Sequence, residues 1–303
     1  MAQTETLLMT RADGVARITL NRPEKRNALT LDMQADLAAA LWEADEDTGI
    51  HAVILRGAGT DFCAGYDLSG GGSDPSAQSR FHDAERSYRG ARSLDDDAWQ
   101  LERAQRHRMT LFDMHKPVIA AVQGNCLAGG TDLAFLCDMV IAADDARIGF
   151  PPARDLGALP NQMWVYNCGP QWAKRLMLTG DTITGAEAQS IGLVMKAVPA
   201  EHLDEEVEGL AARLALIDPD LLSANKRIVN LAMELMGART LQRLAAENDV
   251  RGHNTRAADG FRQAVKTEGL KAALTARDAP FGDGRARVHG MEIRDDAGNI
   301  IPE

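Results

Sequence analysis

Apolar positions recur along this chain with two periods, and the switch between them outlines its organisation. Residues 5–9 and 14–20 carry short apolar runs on either side of Asp13-Gly14, which predicts two strands joined by a tight turn. After Thr30, residues Met33, Leu37, Leu41 and Ala44 fall at i, i+4, i+8 and i+11. They make one face of a helix that Thr30 caps and that runs to about Asp47. His51–Arg56 (HAVILR), Pro117–Gln123 (PVIAAVQ) and Met139–Ala143 are short continuous apolar runs, as buried strands require. A glycine-opened helix is expected at about 129–137, and Val194–Val198 reads as a last short strand. From Ala200 to about Ala276 only helical spacing remains, with breaks near Asp218-Pro219 and Gly237.

Residues 69–97 follow neither period. They begin SGGGSDPSAQSR and continue as charged residues, which predicts a loop leading into a helix from about Asp97 to Met114. The whole pattern is that of an α/β protein. A core over 1–200 is followed by a helical region over 201–283 and a polar, turn-rich tail over 284–303. The tail is expected to be loose or to lie as an arm on a neighbouring subunit.

Composition narrows the class. A chain of 303 residues can bury about three quarters of its unfolded surface, so it needs no staples. The net charge of −11 repels phosphate backbones and argues against a nucleic-acid partner. Cys63, Cys126, Cys137 and Cys168 form no paired framework and no metal-ligand spacing, which fits a reducing, cytoplasmic compartment. No apolar run approaches about 18 residues, so no membrane span is expected. The N-terminal stretch MAQTETLLMTRADG lacks a basic segment followed by an apolar one, so no export leader is expected. There is no GxSxG elbow, no GxxxxGK[ST] phosphate loop and no metal-binding spacing.

Two segments carry candidate chemistry. Asp61–Leu68 (DFCAGYDL) and Lys116–Leu133 (KPVIAAVQGNCLAGGTDL) each run from an apolar strand into small residues and then a turn or helix. Small residues let a ligand approach the backbone. At Gly129-Gly130 a helix opens, and its first N–H groups have no intrahelical partner. Backed by the positive end of the helix dipole, they suit an anion, including one that forms only along a reaction path. Asp132 lies one turn further on and shares a face with Gly129.

Together with RPEKRNALT at 22–30 and LTGDTITGAEAQSIGLV at 178–194, these segments resemble the crotonase (enoyl-CoA hydratase/isomerase) superfamily, in its order. The resemblance implies a spiral of ββα units with a helical C-terminal region, assembled as trimers or hexamers. It implies an acyl-CoA substrate, with CoA as part of that substrate and no permanently bound cofactor. By position, the N–H groups of Tyr66 and Gly129 would hold the thioester oxygen. Ala64, Gly65 and Asp67, with Arg26 and Ala28, would line the nucleotide, and Phe261 sits where an aromatic often touches CoA. Asp132 stands where the hydratases carry a glutamate acid/base. A second family glutamate is missing, because Pro152 or Ala153 occupies its place; Asp155 is the candidate substitute. Asn161 stands where some isomerases and dehalogenases carry an aspartate, and as an amide it can orient but not take a proton. Trp164 and Tyr166 are candidates for the acyl pocket or the core. His82, His107 and His115 are weaker candidates for proton transfer. Hydratase/isomerase activity is the leading expectation. A single-acid isomerase, decarboxylase or hydrolase follows, and a non-catalytic acyl-CoA-binding protein is the alternative of another class.

Overall fold

The computed structural model describes residues 4–68 and 93–301. Most of the expected 69–97 loop, and His82 with it, lie outside the described residues. In chain order the elements are β1 (Leu7–Ala12), β2 (Val15–Leu20), α1 (Leu31–Glu46), β3 (Ala52–Gly57), α2 (Leu94–Asp113), β4 (Val118–Val122), β5 (Asn125–Leu127), α3 (Gly129–Leu136), β6 (Met139–Ala143) and β7 (Arg147–Gly149). There follow α4 (Trp164–Thr179), β8 (Thr182–Thr184), α5 (Gly185–Ser190), β9 (Lys196–Val198), α6 (Leu203–Ala215), α7 (Pro219–Leu235), α8 (Ala238–His253), α9 (Arg256–Glu268) and α10 (Leu270–Asp278).

The larger sheet has the order β1-β2-β3-β4-β6-β9. β1 and β2 form the expected antiparallel hairpin, and Asp13 and Gly14 at its tip both have positive φ (53° and 76°). All other neighbours in this sheet pair in parallel. β4 is buried throughout and β3 at every position but Arg56, because both faces are covered, and this is why their sequences show no alternation. On α1, Met33, Leu37, Leu41 and Ala44 are each 0–1 % exposed, and Thr30 accepts the cap bond from the Met33 N–H.

A smaller sheet, β5-β7-β8, runs beside the larger one. Single bridges continue it at both ends: Leu29 with Tyr66, Cys63 with Cys126, and Thr182 with Arg285. Each turn of the chain therefore gives a strand to the large sheet, a short strip to the small one, and then a helix. This is the expected spiral of ββα units. The strips of the small sheet carry the chemistry-bearing residues, so the spiral stacks those residues side by side.

The structure departs from the expected elements at several places, among them a β9 that starts at Lys196. α2 starts at Leu94, capped by Ser93, because Asp95, Asp96 and Asp97 suit the first turn of a helix dipole despite lacking apolar period. β5 and β8, with three residues each, are too short to show a period. The start of the tail is held by its own chain. There the Thr182 N–H donates to Gly284 O (2.9 Å) and the Ala286 N–H to Thr182 O (2.9 Å).

The helical region is tied to the core at several points. α6 packs on the large sheet through Leu203, Val207 and Ala211, spaced four residues apart and at most 5 % exposed. α7 is anchored by Lys226, whose buried Nζ pairs with Asp138 Oδ2 (2.9 Å) and donates to Leu111 O (3.1 Å) and Lys116 O (3.0 Å). Burial pushes the Asp138 carboxyl up, against the pull of Lys226. Lys226→Met should lower unfolding free energy by about 1–3 kcal/mol in denaturant titrations, since it leaves two buried carbonyls without their donor and a part-exposed carboxylate without its cation. A second change, Asp138→Asn, should return part of that loss.

Candidate active site

The site is built where strips of the small sheet meet the start of α3. Residues 26–29 and 64–67 lie side by side through three main-chain bonds. The Ala64 N–H donates to Arg26 O (2.9 Å), the Leu29 N–H to Gly65 O (2.8 Å) and the Asp67 N–H to Leu29 O (3.0 Å). The structure thus brings together Arg26, Ala28, Ala64, Gly65 and Asp67. Arg26 is exposed and left-handed (φ 49°), and Asp67 is paired with Arg22 (2.8 Å), not with Arg26. The residue that holds the turn is Asn27, fully buried, whose Nδ2 donates to Asp61 O (2.7 Å) and Ala58 O (2.9 Å). Nothing in its spacing marked it, since a turn asparagine is ordinarily solvated. Phe261 is buried on α9, which packs against α8 and α10, and it is not part of this cluster.

Close approach explains the glycines. A Cβ on Gly130 would sit 2.4 Å from Cys63 O, and one on Gly65 would sit 2.9 Å from Ala128 Cβ and 3.5 Å from Gly129 N. The 63–66 strip is thereby pressed against the first turn of α3. Ala128, just before that turn, has φ 49° and ψ −119°, a conformation costing a non-glycine residue on the order of 1–3 kcal/mol. The Tyr66 and Gly129 N–H groups have no backbone acceptor among the described residues. They flank the same seam.

Asp132 is 3 % exposed on the first turn of α3. The Tyr66 hydroxyl donates to its Oδ2 (2.5 Å), while its Oδ1 has no partner. Burial pushes this carboxyl up to about 7, and the charge of Arg108 and the Tyr66 bond only partly oppose the shift. Burial likewise raises the Tyr66 phenol well above its ordinary range, so it stays protonated and donating. The Tyr66 ring lies directly on Gly129, at 2.8–2.9 Å from where a Cβ would be.

Behind Tyr66 sits Arg108 of α2, 1 % exposed, its Cζ 5.4 Å from the ring centroid. Its Nε donates to Asn161 Oδ1 (2.7 Å) and its Nη1 to Gln34 Oε1 (2.5 Å). Asn161 is fixed in turn by Gln242 Oε1 (3.2 Å). Asn161 therefore orients a cation here. Arg108 carries no motif and lies mid-helix among other charged residues, so sequence reasoning missed it.

The remaining candidates lie elsewhere. Pro152 and Ala153 fall in a short 3-10 turn after β7, and neither carries a titratable group. Asp155 faces Arg277 (3.9 Å), with Arg154 and Asp278 nearby, and burial raises its carboxyl to about 6. It is not brought to Asp132. The carboxylate whose field Asp132 does feel is Asp249 of α8, raised by burial to about 6. Its Oδ1 accepts from the Ala158 N–H (2.9 Å) and faces His253 Nε2 (3.5 Å), and His253 Nδ1 meets Asp97 Oδ2 (2.9 Å). His115 is an exposed partner of Asp45, and His107 is half-buried. Trp164 is core, edge-on to Phe135 at 5.1 Å, with its indole N–H unpartnered. Tyr166 bonds Met236 O (3.4 Å). Among the described residues no cluster of His, Cys, Asp and Glu could hold a metal, and no helix is long and apolar enough to cross a membrane.

Comparison with known proteins gives a consistent picture. Residues 10–284 match the family described as Enoyl-CoA hydratase/isomerase. The 2,3-dehydroadipyl-CoA hydratase of Escherichia coli (strain K12) is 34 % identical over 233 residues, covering 76 % of this chain and 83 % of that protein. A crystal structure of an enoyl-CoA hydratase from Mycobacterium smegmatis superposes with a TM-score of 0.83 at 35 % identity, over 92 % of this chain and 95 % of that one. An enoyl-CoA hydratase/isomerase from Xanthobacter autotrophicus Py2 gives 0.81 at 35 % identity, over 92 % and 99 %.

Proposed function

The chain belongs to the enoyl-CoA hydratase/isomerase family of acyl-CoA enzymes, and from that premise we propose that it moves a proton along an acyl-CoA with Asp132 as its single acid/base. The thioester oxygen is received by the Tyr66 and Gly129 N–H groups, the nucleotide lies along the 26–28 and 64–67 strips, and the reaction is a double-bond shift in preference to hydration. The observation that carries this reading is Asp132 itself. It is buried, titrates near neutral pH, is held at one oxygen by Tyr66, and lies one turn from Gly129.

Ionised Asp132 takes a proton from Cα of a β,γ-unsaturated thioester. The electron pair spreads over the β,γ bond and the thioester oxygen, where two preorganised N–H donors stabilise it. Asp132 then returns the proton at Cγ, and the α,β-unsaturated thioester leaves with no atom gained or lost. Hydration, by contrast, uses two carboxylates to position and split one water. Here Pro152 and Ala153 hold the second place, and Asp155 faces Arg277 at 3.9 Å. Asp249 is the one observation favouring hydration, because its field reaches Asp132.

The four unpaired cysteines support a reducing, cytoplasmic setting. Exposed Leu221, Ile228, Val229, Leu231 and Leu235 on α7 support assembly into a trimer or hexamer.

The test compares two substrates in one cuvette geometry. A 3-enoyl-CoA should gain the conjugated enoyl-thioester absorbance, while crotonyl-CoA should lose it far more slowly. Crotonyl-CoA lost as fast as the 3-enoyl thioester isomerises would overturn the preference and move Asp249 into the mechanism. Neither change, with thioester binding intact by calorimetry, would redirect the search to decarboxylation and thioester hydrolysis.

A further inference from the structure

Arg108 is the buried charge that the proton-transfer scheme leaves without a task. Two of its three nitrogens are spent on neutral amides, Asn161 and Gln34, and these fix the plane of the guanidinium. The third, Nη2, is buried with no acceptor. No carboxylate among the described residues pairs directly with Arg108, and the nearby Asp249 has its Oδ1 committed to the Ala158 N–H. Asp132 Oδ1 is buried and unpartnered as well. Both unmet atoms belong to side chains that hold the same ring: Asp132 at its hydroxyl, Arg108 over it.

A buried cation short of an acceptor is costly unless something supplies one. A hydrocarbon chain cannot. On the acyl-CoA reading the thioester oxygen lies at the Tyr66 and Gly129 N–H groups, and Arg108 stands over the ring of that same Tyr66. We propose that Arg108 is a specificity-determining residue whose free Nη2 receives an sp2 oxygen carried on the acyl chain, so that the preferred substrates are oxoacyl- or carboxyacyl-CoA thioesters and not plain alkenoyl ones. This assignment rests on the acyl-CoA reading of the same site. With Nε and Nη1 engaged, the contact is end-on to one oxygen. A ketone and one oxygen of a carboxylate therefore share the chemistry, and charge separates them.

The experiment uses three CoA analogues of matched acyl length in which a methylene replaces the thioester sulfur. One carries a hydrocarbon chain, one an oxo group and one a terminal carboxylate. Calorimetry on the full chain should show the oxygen-bearing analogues binding on the order of 10–100-fold more tightly than the hydrocarbon one, the range for a hydrogen bond to a charged group. The carboxylate binding tighter than the ketone identifies an ion pair; equal affinities identify a plain hydrogen bond. In Arg108→Gln the preference should shrink to within about threefold. A hydrocarbon analogue that binds wild-type protein as tightly as both others overturns the proposal without any variant, as does a preference that survives in a folded Arg108→Gln protein. Failure of all three analogues to bind overturns the acyl-CoA reading instead. Because Arg108→Gln can fail to fold, the 15N guanidinium resonance of Arg108 in wild-type protein supplies a second readout. It should shift with the oxygen-bearing analogues and not with the hydrocarbon one, and an equal response to all three removes the assignment.

Discussion

Asp132→Asn should lower turnover by about 10²–10⁴-fold, the range for removing a positioned general acid/base, while CoA-thioester affinity stays within a few fold. Asparagine keeps an oxygen that can accept from the Tyr66 hydroxyl, so the site keeps its shape and loses only its proton carrier. The pH profile makes the test specific. As the base, Asp132 must be ionised, so kcat/KM in wild-type protein should rise with pH through a midpoint near 7. The variant's residual rate should show no such limb. Stability gives an independent sign. The carboxyl is raised from 3.8 to about 7 in the fold, so between those values the folded state binds more protons than the unfolded one. Its contribution is fully present below about pH 4 and is lost as pH rises through 7. The loss is on the order of 4 kcal/mol for a fully buried group. Asp132→Asn should therefore flatten the fall in denaturant stability between pH 4 and 7, and above pH 7 it should be the more stable protein. A steep fall that persists unchanged would mean that Asp132 is not the buried group titrating there.

The elements that pack were legible in the sequence, and the elements that merely connect were not. Strands β3, β4 and β6 and helix α1 announce themselves because burial on both faces or on one stripe forces an apolar pattern. β5 and β8 are held by main-chain bonds to neighbours and need no pattern of their own. The site divides in the same way. Gly129, Asp132 and Tyr66 could be proposed because their chemistry depends on local spacing at a strand–helix junction. Arg108, Asn161, Gln34 and Gln242 form their network from α2, the loop before α4, α1 and α8. Only the folded chain brings those segments together, so no local spacing could reveal it. Asp155 shows the reverse case. It lies near the place where a second acid was wanted in sequence, but its side chain turns to Arg277, and Asp249, nearly a hundred residues on, is the carboxylate that Asp132 feels.

Gly130→Ala should cost nearly as much activity as the loss of Asp132, but by a different route. The added methyl would lie 2.4 Å from Cys63 O and 3.1 Å from Cys63 Cβ, both fixed parts of the adjoining strip. Ordinary contact needs about 1 Å more, and neither side is a flexible chain end that can step aside. The 63–66 strip must therefore draw back from α3, taking the Tyr66 N–H away from the Gly129 N–H. Loss of one donor from such a pair costs on the order of 10²–10³-fold in kcat, and the strain itself should cost about 1–3 kcal/mol of stability. Asp132 and Tyr66 keep their side chains, so the kinetic midpoint near pH 7 should survive in what activity remains. That separates a displaced oxyanion site from a lost base. Gly209→Ala on α6 is the matched control, because nothing lies within 4 Å of its added methyl. It should keep full activity and gain up to about 1 kcal/mol from helix propensity. If Gly130→Ala retains wild-type kcat, the two N–H groups are not acting as a pair, and the thioester oxygen must be held elsewhere.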